Sequence, residues 1–431
     1  MLAKRHAALG FIFVTVLLDM LAFGVVAPVM PKLISDFLGG NTARASEYLG
    51  LFITTWALMQ FFFAPVLGLL SDRFGRRPVI LISNFGLSLD YLIMALAPSI
   101  RWLFLGRVLA GITSASIPTA TAYISDVTPP EKRSKAFGLL GAAFGVGFVL
   151  GPALGGWLGM YSPRLPFWIG CAGSLLNAMY GLFVLPESLP PEKRQTRMRW
   201  ENANPLGALR LLRSHAELTG LATVNFLGYV AHEVYLTVFV LYVMYRFAWN
   251  QRMVGISLAV VGITSIVMSG LVGPVVNWLG ERRALLAGLF FAAIGFVCYG
   301  VAWSTAMFLG AILVNSLWSL AGPTSQSLMT RRVAPSVQGE LQGAIASLRG
   351  VAMLIGPGLF SLTFAYFISP RHRLSGAPWY LAAALLLASL LIAWSVTGDG
   401  AQGITEITPP PIEETQIEVA GVREGTTSVV P

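Results

Sequence analysis

Long apolar stretches alternate with short polar segments along most of the chain. A helix needs about 20 consecutive apolar residues to cross the hydrocarbon core of a bilayer, and twelve stretches are long enough. They lie at 8–30, 48–70, 78–97, 101–124, 135–158, 164–185, 216–243, 254–276, 284–302, 306–329, 341–367 and 378–396. This pattern predicts an all-α membrane protein with twelve transmembrane helices.

The longest polar interruption separates the first six spans from the last six. It predicts an N-terminal six-helix bundle over 1–186, a cytoplasmic linker over 187–214 and a C-terminal six-helix bundle over 215–396. Beyond residue 396 the chain is rich in proline and glutamate and poor in aromatic residues, a composition typical of disorder. We therefore expect a disordered cytoplasmic tail over 397–431.

A single shift of 205 residues aligns glycines and prolines of the two halves. The aligned pairs are Gly68 with Gly273, Gly75 with Gly280, Gly138 with Gly343, and Gly151-Pro152 with Gly356-Pro357. Internal repeats of this kind build many secondary transporters, which bind substrate near the bilayer midplane between the repeats. The repeat predicts two pseudo-symmetric bundles.

Composition and charge fit a protein surrounded by lipid. Hydrophobic residues make up 55% of the 431 residues and charged residues 11%, whereas soluble domains have roughly 25% charged residues. The net charge is +9, but 19 of the 29 Lys and Arg residues fall in the N-terminus, the even-numbered loops and the tail. By the positive-inside bias, both termini face the cytoplasm. The positive net charge is therefore explained by the orientation of the chain in the membrane, and no nucleic-acid partner is expected.

The sequence carries no motif for a cofactor, a metal or hydrolysis. Cys171 and Cys298 lie inside spans, where we expect them to pack as small apolar residues. There is no phosphate-binding Gly-x4-Gly-Lys-Ser/Thr loop, no cluster of metal ligands and no nucleophile elbow. We therefore expect neither an enzyme nor a nucleotide-driven pump.

Charged residues inside the predicted spans are candidates for function, because an isolated charge at the bilayer centre costs at least about 2.5–3.5 kcal/mol. Asp19 lies halfway along the first span, a position that favours a functional role over a structural one. Asp90 lies eight residues before Pro98, and Arg107 six residues after Arg101. At about 1.5 Å per residue they lie at similar depth, so they can form an ion pair, either structural or functional.

The seventh and eleventh spans add further charges. His232 and Glu233 are adjacent and point about 100° apart on a helix, so at most one of them needs to face a cavity, and Glu233 is the better proton carrier. Arg349 lies about nine residues after Glu340, deep in its span, and is expected to meet an acidic partner or an anionic substrate group. Several aromatic residues could line a drug-binding cavity, although such residues more often pack or face lipid: Trp56, Phe61, Phe62, Phe63, Tyr123 and Trp318.

A buried carboxylate suits proton coupling, because a proton and a cationic substrate group compete for the same oxygen atoms. Each charge that enters across 100 mV releases about 2.3 kcal/mol, which corresponds to nearly two decades of concentration. One proton in each cycle would therefore support efflux.

Glycines recur four residues apart in the fifth span, and Gly151-Pro152 and Gly155-Gly156 stand among them. The repeated glycines are Gly147, Gly151, Gly155 and Gly159. Glycines at this spacing form a smooth face on which another helix can pack at backbone distance. The fifth span therefore predicts a helix-packing seam.

A short basic loop joins the second and third spans, with the sequence Gly68-Leu-Leu-Ser-Asp72-Arg-Phe-Gly75-Arg76-Arg-Pro. Gly75 permits a tight turn, and Asp72 can pair with an arginine or cap a helix. The arginines alone would suit any positive-inside loop, but the full spacing resembles the signature loop of the major facilitator superfamily. The resemblance implies a conformational latch of Asp72 and Arg76 at the cytoplasmic face. The glycine and proline motif of the fifth span resembles that of the exporters in this superfamily.

Within the superfamily the chain resembles the tetracycline-type exporters of the drug:proton antiporter group. Segments that carry this resemblance include Leu18-Asp19-Met-Leu-Ala-Phe-Gly, Leu89-Asp90-Tyr-Leu and Gly106-Arg107-Val-Leu. The resemblance implies roles in coupling or gating for Asp19, Asp72, Arg76, Asp90, Arg107 and Asp126. It also implies a monomer in the inner membrane.

The second half departs from those exporters. They carry an aspartate in the ninth span where this chain has Ala292, and a histidine and a glutamine in the eighth span where it has Ser265 and Ser269. Glu233 and Arg349 are extra charges at places where those exporters are usually uncharged. These differences predict a reworked substrate site and make tetracycline a doubtful substrate.

The hypothesis is a proton-coupled secondary active exporter of a drug or another amphipathic small molecule. One alternative is an uptake symporter for a sugar or an organic acid, in which Arg349 would bind a substrate carboxylate. A second alternative is a membrane receptor that transports nothing.

Overall fold

The computed structural model describes residues 2–194, 209–212, 216–334 and 337–398. In these residues eleven helical spans are long and apolar enough to cross a membrane, and a bent helix pair raises the number to twelve. The predicted all-α architecture of twelve spans is confirmed. Most of the predicted linker and nearly all of the predicted tail lie outside the described residues, so the boundaries at 186, 214 and 396 stay predictions.

We number the helices by span and add letters where a span is broken. The first six spans are α1a (Leu2–Val26) with α1b (Met30–Phe37), α2 (Thr42–Phe74), α3 (Arg76–Leu96), α4a (Ile100–Thr113) with α4b (Ser116–Val127), α5 (Pro130–Gly159) and α6 (Leu165–Val184). The last six are α7a (Ala216–Thr237) with α7b (Phe239–Phe247), α8 (Gln251–Leu279), α9 (Glu281–Val301), α10a (Thr305–Ser316) with α10b (Ala321–Thr330), α11 (Gln338–Phe367) and α12 (Ala377–Val396).

Several spans are broken, which the apolar pattern did not predict. Span 4 breaks just before Pro118, which has no backbone N–H to donate to the carbonyl four residues earlier. Span 10 passes through a 3₁₀ turn at Leu317–Leu320 just before Pro323, and Pro323 lies 205 residues after Pro118. The two breaks are therefore equivalent under the repeat. Span 1, predicted to end at Met30, continues from there as α1b.

Span 7 bends by 51° between α7a and α7b, although the sequence predicts one helix over 216–243. The helix is interrupted at Val238, whose N–H still donates to the Val234 carbonyl at 2.9 Å. Aromatic rings hold α7b in place, with Tyr242 5.7 Å from Trp379 and 6.0 Å from Phe308 between ring centroids. No proline or glycine stands at the bend, and α7b beyond it is packed among aromatic rings of the second half.

The two halves have the same local structure at the predicted offset. Gly75 joins α2 to α3 with φ 109°, and Gly280 joins α8 to α9 with φ 80°, both in the left-handed region that favours glycine. Between the halves, α2 packs against α11 and α5 packs against α8. The repeat exchanges these two pairs, so the halves are related by a pseudo-twofold axis.

The halves meet at the end of the bundle opposite the Gly75 loop. There Ser46 Oγ of α2 donates to the Ser361 carbonyl of α11 at 3.0 Å, and Gly156 of α5 packs against the backbone of Gly255 in α8. The largest apolar core runs through this end from the first half into the second, while Ile12, Tyr123 and their neighbours form a separate core near the Gly75 end. The interface is therefore closed at this end.

The same faces of α5 and α8 separate toward the Gly75 loop. Gly145 of α5 still contacts Ile266 of α8. Gly141, four residues before Gly145, and Gly270, four residues after Ile266, lie on the same faces, yet a side chain added at either would meet nothing within 4 Å. The interface is open at this end.

Candidate functional site

A cavity of about 500 Å³ lies against the second half, beside its interface with α5. Helices α7a, α8, α9, α10 and α11 supply its walls, and Phe148 of α5 adds a side chain from the first half. The titratable side chains that line it are Tyr229, His232, Glu233, Tyr235, Tyr299 and Arg349. The cavity thus brings together the three second-half groups singled out from the sequence.

Glu233 is the buried acid of this cavity. Its side chain packs against Gly356 of α11, where any larger residue would collide with it. Glu233 is 5% exposed, and its Oε2 has no hydrogen-bond partner among the described residues. Because burying a charged carboxylate without a partner is costly, this oxygen is suited to a proton or a ligand.

His232 also lines the cavity and is more exposed than Glu233. Its ring lies 5.5 Å from the ring of Trp318 and 5.7 Å from that of Tyr235. The expectation that only one residue of the adjacent pair needs to face a cavity was too narrow. The cavity is wide enough to receive both, although they point about 100° apart.

Arg349 of α11 faces the cavity and is exposed there. Among the residues that the structure describes, no carboxylate lies within ion-pair distance of its guanidinium. The acidic partner that the sequence suggested as one possibility is therefore not in direct contact, which leaves an anionic ligand group as the other.

The positions at which the chain departs from the tetracycline-type pattern fall in two places. Ser265 and Ser269 of α8 line the cavity. Ala292 of α9 is fully buried and does not line it; its carbonyl accepts a hydrogen bond from Asn315 Nδ2 at 3.2 Å. Asn315 itself faces the cavity and also accepts a hydrogen bond from Tyr235.

Asp90 and Arg107 form an ion pair between α3 and α4a, as their similar depth suggested. The Asp90 side chain is 0% exposed and the Arg107 side chain 12%, and Arg107 Nη2 also donates to Met94 Sδ at 2.9 Å. Neither residue lines the cavity. The pair is a buried element of the first half.

Asp19 of α1a is 3% exposed and accepts a hydrogen bond from Asn177 Nδ2 of α6 at 3.2 Å. The same amide donates to the Thr15 carbonyl at 3.2 Å. Asp19 does not line the cavity either. The candidate residues for coupling therefore form two separate groups, one in each half.

Arg76 is the centre of the charged contacts at the Gly75 loop. Its Nη1 lies 2.5 Å from Asp72 Oδ1, and its Nε lies 3.1 Å from Asp126 Oδ2 of α4b. Gly68 stands one turn before Asp72, and a side chain added there would meet nothing within 4 Å. The structure thus brings together the three charged residues that the resemblance assigned to gating.

The second half repeats this contact with the charges reversed. Position 281 corresponds to 76 and position 331 to 126 at the offset of 205. Arg331 Nη2 lies 2.8 Å from Glu281 Oε1, which also accepts a hydrogen bond from Ser327 Oγ at 2.7 Å. Each half therefore ties its third span to its fourth by one opposite-charge contact.

The glycine face of α5 forms seams with two helices. Gly147 packs against Met20, and Gly151 against Gly24 of α1a, with Pro152 also in contact with Gly24. Gly155 faces the Val25 backbone, whereas Gly156 points the other way and meets the backbone of α8 at Gly255. One motif thus joins α5 to its own half and to the other half.

The sequence did not predict the contacts of Glu187 with the start of α3 or of Asn177 with Asp19. Glu187 follows α6 and accepts hydrogen bonds from the backbone N–H groups of Arg76 at 2.8 Å and Arg77 at 3.2 Å. A signal existed for Asn177, because an amide inside an apolar span needs a partner as a charge does. Glu187 gave no such signal, since it stands in a polar linker.

The model of the family described as the Major Facilitator Superfamily matches residues 12–357. The chain belongs to the major facilitator superfamily. It is 38% identical to the class C tetracycline resistance protein of Escherichia coli, over 90% of this chain and 96% of that protein. It is 35% identical to the class E protein of the same organism, over 88% and 92%.

A solved structure of the same superfamily agrees with the fold. The crystal structure of a D-xylose–proton symporter superposes with a TM-score of 0.74 and covers 91% of this chain and 98% of that chain. The sequence identity is 17%, so the likeness concerns the fold alone. This major facilitator chain is thus a multi-pass membrane transporter whose substrate is a small molecule.

Proposed function

We propose that this transporter is a proton-coupled secondary active exporter of a drug or another amphipathic small molecule. The observation that carries the proposal is the cavity of the second half, beside its interface with α5, which contains a buried carboxylate, Glu233, and aromatic side chains. Such a pocket offers apolar surface for the body of a ligand and a few polar groups for its orientation. The inner membrane, with both termini in the cytoplasm, is the proposed location, and the monomer the proposed form.

The arrangement of the halves supports alternating access. The interface is closed at the end that holds Ser46 and Ser361 and open at the end that holds the Gly75 loop. With the basic loops in the cytoplasm, the cavity is accessible from inside. Rocking of the halves about the cavity would then expose it to the outside.

Three buried carboxylates support proton coupling, Asp19 and Asp90 in the first half and Glu233 in the second. Entry of one proton across 100 mV releases about 2.3 kcal/mol, which suffices for uphill efflux. The direction of transport rests on the motif of α5 and on the relatives named for tetracycline resistance. Because Ser265, Ser269 and Ala292 replace the polar groups expected of a tetracycline exporter, we propose a different amphipathic substrate.

Transport into proteoliposomes tests the coupling. A fluorescent amphipathic probe found by thermal-shift screening should accumulate uphill only when a proton gradient drives proton and probe in opposite directions. We expect Asp19→Asn and Glu233→Gln to abolish uphill transport, and Glu47→Gln, at an exposed position, to retain it. Uphill transport that needs no proton gradient, or that survives in both neutral variants, would contradict the proposal.

Arg349, which forms no ion pair with a described residue, favours one competing function, uptake of an organic acid together with a proton. A deletion strain distinguishes the two directions. Loss of an exporter raises sensitivity to the substrate, whereas loss of an importer removes uptake or growth on it.

A further inference from the structure

The cavity is lined by two residues of opposite charge, Glu233 and Arg349, that form no direct ion pair with each other. We infer that its ligand is an aromatic zwitterion, with an acidic group at Arg349, an amine at Glu233 and a planar ring beside Trp318. This inference rests on the proposed transport function and specifies the substrate class of the same site.

Arg349 lies eleven residues into α11, about 17 Å along the helix axis, and so near the middle of the bilayer. An unneutralised arginine at that depth is costly. Among the described residues no carboxylate pairs with it, and its side chain is exposed to the cavity. A planar guanidinium that presents several N–H donors suits a carboxylate, which it binds through two parallel hydrogen bonds.

Glu233 lies on α7a, and its side chain packs against Gly356 of α11, the helix that carries Arg349. Its Oε2 is buried and, in the described part of the chain, makes no hydrogen bond. The two residues form no ion pair with each other, so each charge remains available to a ligand. A carboxylate in this setting suits a protonated amine, which supplies both an opposite charge and N–H donors.

A ligand with one charge leaves one of these residues uncompensated. A monoanion would satisfy Arg349 but approach the carboxylate of Glu233, and a monocation would do the reverse. A zwitterion compensates both, and it does so without placing net charge in a low-dielectric site. The remaining titratable groups on the wall are His232 and three tyrosines, while α8 and α10 contribute none.

Aromatic side chains of the cavity provide a contact surface for the planar ring of the ligand. Trp318 and His232 form adjoining faces with ring centroids 5.5 Å apart and a 49° tilt. Rings in such an arrangement contact a planar ligand edge to face or offset. In the transport cycle, the ligand amine and the transported proton would compete for Glu233, which is the exchange that antiport requires.

Three probes with the same aromatic body test the charge requirement. They are 3-(2-naphthyl)alanine, which is zwitterionic, its N-acetyl derivative, which is anionic, and its methyl ester, which is cationic. Calorimetric titration of the full-length protein in detergent should show the zwitterion bound about tenfold more tightly than either derivative, the effect of one additional charged hydrogen bond. Equal affinity for the three probes, a preference for either singly charged one, or no binding at millimolar concentration would overturn the inference.

Single variants assign each end of the ligand. Arg349→Gln should remove the preference for the zwitterion over the ester, and Glu233→Gln the preference over the N-acetyl derivative, while Glu217→Gln, in a surface ion pair with Arg332, changes neither. Arg349→Lys should retain part of the preference and serves if the glutamine variant fails to fold. A uniform weakening of all three probes by both substitutions would show a structural role and refute the inference.

The binding assay uses no gradient, so it separates the inference from the proposed function. Intact charge preference in a protein that shows no proton-driven transport refutes the function alone. Proton-driven transport without charge preference refutes the zwitterion alone.

Discussion

Charged residues inside the spans are the residues of greatest consequence in this chain, and their surroundings divide them into two kinds. Asp90 and Arg107 compensate each other within one bundle, away from the cavity. Glu233 and Arg349 lie in the cavity without forming an ion pair. A compensated pair stabilises the bundle, whereas uncompensated charges are available for a ligand or a proton.

The Asp90 and Arg107 pair leads to a stability prediction. Arg107→Gln should lower the free energy of unfolding by about 3–5 kcal/mol, because it leaves the fully buried Asp90 charge without a partner. The double variant Asp90→Asn with Arg107→Gln should lose much less, because no isolated charge remains. Thermal unfolding of the purified proteins, followed by tryptophan fluorescence, measures the order. A double variant less stable than Arg107→Gln would show that the pair does more than neutralise itself.

Depth along a span could be read from the sequence, but partners across the fold could not. Counting residues from the span ends was enough to bring Asp90 and Arg107 to the same level, because a helix rises by a constant amount per residue. Asp19 meets Asn177 across 158 residues of chain, a contact that depends on how α1a and α6 pack. The cavity role of both His232 and Glu233 likewise depends on the width of the space between helices.

At the scale of helices, close backbone approach and helix ends determine the geometry. The glycine seam of α5 was predictable, because spacing alone defines a helix face. The bend in α7 was not, because no proline or glycine stands there and the aromatic contacts of α7b join residues far apart in the sequence. The breaks before Pro118 and Pro323 could have been predicted from the prolines themselves. The length of an apolar stretch alone does not reveal them.

Because α5 and α1a are in close contact along the glycine seam, replacing a seam glycine by alanine should lower the free energy of unfolding. Gly155→Ala would place a Cβ against the Val25 backbone, which cannot move without shifting α1a. We expect a loss of about 1–3 kcal/mol in the free energy of unfolding and reduced transport. Gly173→Ala on α6, where a Cβ meets nothing within 4 Å, is the matched control and should be neutral or slightly stabilising. Equal stability of the two variants would mean that the seam is not closely packed.

The start of α3 predicts a local effect of Glu187. Its carboxylate accepts hydrogen bonds from two backbone N–H groups of the first turn, as the side chain of a helix cap does. Such caps contribute about 0.5–2 kcal/mol to the free energy of unfolding. Glu187→Ala should therefore speed hydrogen–deuterium exchange at Arg76 and the next turn of α3. Glu192→Ala, at an exposed site in the same segment, should leave that exchange unchanged. Unaltered exchange in Glu187→Ala would show that the hydrogen bonds contribute little.

At the scale of the whole molecule, two related halves carry different chemistry. The repeat preserves the turns at Gly75 and Gly280 and the crossed pairing of α2 with α11 and α5 with α8. The charged contacts at the loops persist with their signs exchanged, and the cavity is formed mainly by the second half. Symmetry of the backbone therefore supports the proposed rocking motion, while the polar and charged side chains of the cavity belong to the second half.

That motion predicts two mutually exclusive sets of cross-links. Cys171 and Cys298 would first be replaced by alanine. Ser46 Oγ already lies 3.0 Å from the Ser361 carbonyl oxygen. Cysteines at these two positions should therefore form a disulfide in the state that is closed at this end. Cysteines at Gly141 and Gly270, where the facing surfaces are apart, should form one only when the halves close at the opposite end. Each disulfide should abolish transport and its reduction should restore it, because a rocking transporter must pass through both states. If only the first pair ever cross-links, and transport continues with that disulfide intact, the halves do not alternate and the closed end is not a gate.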